Sequence, residues 1–139
     1  MKISLADHGL YYKGLLILIR RDRTIHDAER QMMLRIGKIL GFEKTFCEQA
    51  IREILDNEHI ADDPPLFSSP EIASCFIRDG IRVALADRSI DDSERAWLKA
   101  VADAHNLDDL WFTTTMTEME AHAEREQGDS LEAAHLRWQ

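Results

Sequence analysis

Four acidic residues of this 139-residue chain stand at matching places: Asp22 and Glu29, then Asp87 and Glu94. They belong to a nonapeptide that occurs twice, residues 22–30 (DRTIHDAER) and 87–95 (DRSIDDSER), with six of the nine positions identical. Carboxylates in a turn before a helix do one of two things. They accept hydrogen bonds from the turn and from the first N–H groups of the helix, which have no partner inside it. The sharper alternative is that Asp22, Glu29, Asp87 and Glu94 converge and hold a divalent cation through oxygen ligands. Asp91 fits the N-cap of a helix with Glu94 three residues on, and Asp92 adds charge where the helix dipole favours it. His26 takes the same place in the first copy and is a poorer cap. Asp22 and Asp87 each fall near a helix C-terminus, where a carboxylate is mildly repelled and needs a compensating partner. An EF-hand is excluded, because with Asp87 at loop position 1 the mid-loop glycine is missing, Asp92 standing in its place, and Leu98 stands where the closing glutamate belongs.

Other chemistry finds little support. There is no GxSxG, no glycine-rich phosphate loop, no HExxH and no cysteine–histidine pair in a recognisable setting, so no enzyme and no catalytic residue is expected. The six histidines, at positions 8, 26, 59, 105, 122 and 135, read mostly as surface residues. Cys47 and Cys75 are too few for a disulfide framework, and a reduced cytoplasmic setting is expected. With 26 acidic against 17 basic residues the formal net charge is −9, which argues against nucleic acid. The longest aliphatic run, residues 15–19, is far shorter than the ~20 residues of a membrane span, and neither an anchor nor a secretion signal is visible.

Helices must position these residues. Apolar spacings of three and four predict helices over 28–40, 44–55 and 93–104, with further helices near 9–21, 70–86, 108–124 and 130–138. Pro70 suits a first helical turn, while Pro64 and Pro65 mark residues 57–69 as a linker. An offset of 65 residues aligns far more than the nonapeptides. It lays Met33 on Leu98, Ile36 on Val101, Phe42 on Leu107, Phe46 on Trp111, Ile51 on Met116 and Ile54 on Met119. Gly41 falls on Asn106, the two residue types that most readily adopt left-handed geometry. The expected architecture is one all-α domain of about seven helices. Two related three-helix halves, about 10–56 and 70–124, close one another's core about a near two-fold axis, and a C-terminal helix follows. Met32, Met33, Met116 and Met119 read as core filler, Ile25 and Ile90 as inward plugs. Trp138 suits either docking of the last helix or contact with a second copy of the chain.

The two stretches 18–29 and 84–94, each an aliphatic segment followed by Asp, x, x, Ile, x, x, x, Glu, resemble the signature of the tellurite-resistance TerB-like family. The resemblance runs from about residue 10 to 124. It implies an all-helical bundle of two related halves, a part in stress or tellurite-resistance-type response through protein partners, and cation binding at the acidic positions matched here by Asp22, Glu29, Asp87 and Glu94. The glycine that follows the aspartate in that family is replaced by Arg23 and Arg88. The turn therefore takes another shape or strains a non-glycine residue.

Overall fold

The computed structural model describes residues 2–20, 25–57, 61–87, 89–122 and 137–138. Six α-helices account for most of them: α1 (Leu5–Ile19), α2 (Asp27–Ile39), α3 (Lys44–Asp56), α4 (Pro70–Ala84), α5 (Asp92–Ala104) and α6 (Asp109–His122). The offset of 65 residues carries α1 onto α4 and α2 onto α5 end for end, and brings the first residue of α3 onto that of α6.

Each matched boundary has a local cause. Ser4 and Ser69 are the N-caps of α1 and α4, their side chains accepting the N–H of Asp7 and Ile72, and Pro70 opens α4. Helices α2 and α5 end alike. The N–H of Gly41 bonds the carbonyl of Lys38 (3.0 Å) and that of Phe42 the carbonyl of Gly37 (2.8 Å). In the second half Asn106 bonds Asp103 (3.2 Å) and Leu107 bonds Ala102 (2.9 Å). This double closure requires left-handed backbone at Gly41 (φ 91°) and Asn106 (φ 57°).

Helices α1 and α4 bury residues on all sides, the run Leu15 to Ile19 included, so they form the central pair. The other four bury one stripe each. Contacts between helices come in equivalent sets: α1 packs on α2, α3 and α5, and α4 packs on α5, α6 and α2. Single residues do the same. The ring of Tyr11 meets that of Phe76, its counterpart, edge to face at 5.4 Å. One continuous core cluster runs through both halves and includes Met33 and Met116; Met32, Met119 and Ile25 pack against it, and Ile90 is buried.

Three expectations need correction. Helix α1 begins at Leu5 rather than near residue 9, because Ser4 supplies its cap. The helix expected near 130–138 does not extend to its end: Arg137 and Trp138 form a two-residue strand, paired in parallel with Lys2 and Ile3, and backbone pairing demands extended geometry there. Residues 130–136 lie outside the described residues. His8 is not a surface residue. It is buried, its ring 5.0 Å from that of Phe42. Among the described residues no helix is long and apolar enough to cross a membrane.

Candidate functional site

The acidic turns act first as helix starts. Asp91 caps α5, its Oδ1 accepting the N–H of Glu94 at 2.7 Å, while Glu94 Oε1 accepts the N–H of Asp91 at 3.1 Å. In the first half the N–H of His26 donates to Glu29 Oε1 at 3.0 Å. Glu29 and Glu94 are buried, each turned back onto its own cap. Of the other two candidate ligands, Asp22 lies outside the described residues. Asp87 ends a short 3₁₀ turn that follows α4, and its side chain is likewise outside them. Among the described residues no cluster of three or more histidines, cysteines, aspartates or glutamates is placed to hold a metal ion.

Buried polar groups that the sequence did not single out tie the halves and the linker together. The fully buried carboxylate of Asp79 accepts the hydroxyl of Tyr11 at 2.7 Å and lies 3.3 Å from Arg82 Nη1. Its counterpart in the first half is Gly14, where a Cβ would meet the ring of Phe76 at 2.8 Å. Tyr11 on Asp79 and Phe76 on Gly14 are thus one contact made twice, and only the copy with a hydroxyl has an acceptor. Asp7 takes the N–H of Ser68 at 3.0 Å and the hydroxyl of Ser4 at 2.8 Å. Burial alone would raise its pKa, but hydrogen bonds from the side chains and backbones of Ser68 and Ser4 outweigh this and hold it below the ordinary 3.8. The linker is further held by Trp97 Nε1, which donates to the carbonyl of Asp62 at 2.7 Å, and by the N–H of Phe67, which donates to His105 Nε2 at 2.8 Å.

The feature best suited to binding is an open groove of about 420 Å³ between α1 and α3. Tyr12 and Leu16 of α1, Phe46 and Ala50 of α3, and Phe42 between the helices supply its apolar walls. The aromatic wall is continuous, with ring centroids 5.4 Å apart for Tyr12 and Phe42 and 5.2 Å for Phe42 and Phe46. Behind it Tyr12 donates its hydroxyl to the carbonyl of Met33 at 3.0 Å. Burial, then the hydrogen bond and charge interaction with Cys47, push that hydroxyl well above its ordinary pKa, so it remains a donor. Phe46 is 52% exposed. Gly9 leaves the mouth open, since a Cβ there would meet nothing within 4 Å.

No family model, curated protein or solved structure matches the chain. The groove therefore stands on its own geometry. In the periodicity of the sequence Phe46 is one more apolar position of α3. A signal was nevertheless present in the repeat, where Gly9, Phe46 and Ala50 are the smaller members of pairs with Ser74, Trp111 and Thr115.

Proposed function

We propose that the chain is a non-enzymatic, TerB-like module of a stress or tellurite-resistance-type response, acting in a reduced cytoplasmic setting through contact with another protein at the groove between α1 and α3. The observation that carries the contact is the apolar concavity itself. Its volume lies within the range of about 300–1,000 Å³ typical of ligand pockets, and an exposed phenyl ring stands on its rim. Exposed aromatic surface next to a concave apolar wall is costly to leave in water and is characteristic of recognition sites. The two related helical halves agree with what the resemblance implies. Cys47 and Cys75 are buried and not joined in a disulfide, which suits a reducing compartment.

A photo-crosslinking amino acid in place of Phe46, in the full chain expressed in its own host with and without tellurite, tests the proposal. One discrete protein adduct, absent when the label replaces exposed Arg52 on α3, is the expected result. Adducts equally abundant from both positions, or none from position 46, overturn it, and an adduct of the chain with itself assigns the groove to a dimer.

A further inference from the structure

The groove has a counterpart in the second half, between α4 and α6. There Trp111 takes the place of Phe46 and is half-buried against the core, and the guanidinium of Arg78 lies 5.5 Å from the centre of its ring. That is an indole beneath a cation, an arrangement with its own attraction through the ring quadrupole. Thr115, the counterpart of Ala50, is buried in the same packing. In the first half the cation is present without the indole. Lys13 occupies the position of Arg78, lines the groove, and forms no ion pair among the described residues. The smaller ring of Phe46 leans on Phe42 instead of closing the gap.

We infer that the groove takes one aromatic side chain, an indole best of all, from a segment of the partner protein, and that Lys13 covers its outer face as Arg78 covers Trp111. The inference rests on the reading of the groove as a partner surface. Charge selects the source of the ring. Of the residues lining the groove, Lys13 on α1 and Glu53 on α3 are the charged ones, of opposite sign and from the two walls. A peptide segment with an acidic and a basic residue beside its aromatic anchor complements both. An acyl chain can offer its carboxylate to Lys13 but brings no ring, and it leaves Glu53 without a cation.

The test uses the full chain labelled for ¹H–¹⁵N NMR, with N-acetyl-tryptophanamide, N-acetyl-leucinamide and decanoate as probes. The tryptophan amide should give saturable shifts at the amides of Gly9, Phe46 and Ala50, with a Kd of about 1 mM, near −4 kcal/mol. The leucine amide should bind roughly tenfold more weakly, by the aromatic preference of such pockets. Lys13→Met should weaken the tryptophan amide roughly threefold, in keeping with an exposed cation–π contact. Gly9→Phe places a ring at the mouth where a Cβ meets nothing, so it should fold and abolish the shifts. No saturable shift with the tryptophan amide, equal binding of the leucine amide, or binding of decanoate alone overturns the inference. A discrete adduct at position 46 with no binding of the tryptophan amide removes the aromatic anchor and leaves the partner reading standing. Binding of the amide with no adduct overturns the partner reading, and with it the source assigned to the ring.

Discussion

Replacing Tyr11 by Phe isolates the hydrogen bond that joins α1 to α4 at the centre of the molecule. The ring is fully buried and stays, the edge-to-face contact with Phe76 stays, and the hydroxyl donated to Asp79 at 2.7 Å is removed. A hydrogen bond to a charged group contributes about 1.5–3 kcal/mol, and the oxygen leaves a hole too small for a further large penalty. The expected loss is about 2 kcal/mol. With an unfolding entropy of about 2.1 cal/mol/K per residue, a chain of this length has roughly 0.3 kcal/mol/K, so Tm should fall by about 7 °C. Urea denaturation with an unchanged slope, supported by calorimetry, reads the change. The decisive comparison is a cycle with Asp79→Ala, in which removal of the same hydroxyl should cost close to nothing. A loss below about 0.5 kcal/mol, or an equal loss in both backgrounds, would refute the claim that this hydrogen bond joins the halves.

Burial holds the His8 imidazole below its ordinary 6.5. The unfolded chain therefore takes up a proton near 6.5 that the folded chain still refuses, and the stability His8 confers is complete above that pH and declines as pH falls through it towards the lower folded value. Denaturant midpoints at pH 7.5 and 5.5 should differ, and differ less in His8→Phe. Asp7, also held below its ordinary pKa, acts in the same direction at lower pH: its contribution is present above 3.8 and fades only at more acid pH, outside that comparison. Gly9→Ala should stabilise the chain by about 1 kcal/mol, because the position is helical and its added methyl meets open space. Gly41→Ala should cost about 1–2 kcal/mol by thermal melt, since the closure of α2 holds that residue at φ 91°.

Much of the architecture was legible because it depends on short-range chemistry. Caps act over three or four residues, so the helix start at Asp91 and Glu94 and the left-handed stops at Gly41 and Asn106 could be read from residue type and position. The repeat supplied the pairing of the halves, whereas the central place of the helix that carries the apolar run from Leu15 to Ile19 came from the structure. Asp7 and Asp79 were not legible as structural residues. Their partners, Ser68 and Tyr11, are 61 and 68 residues away, and no local pattern reports such a meeting.

The chain on its own determined helix type, most helix ends and the duplication, because hydrophobic period and capping are encoded within a turn or two of each residue. Tertiary structure decided what the residue differences between the two copies of one packing motif amount to. Position 111 carries an indole large enough to reach the core beneath Arg78, whereas Phe46, Gly9 and Ala50 leave the same space open beside Lys13. Whether a side chain fills a gap depends on the distance between two helices, and that distance is set by everything packed between them.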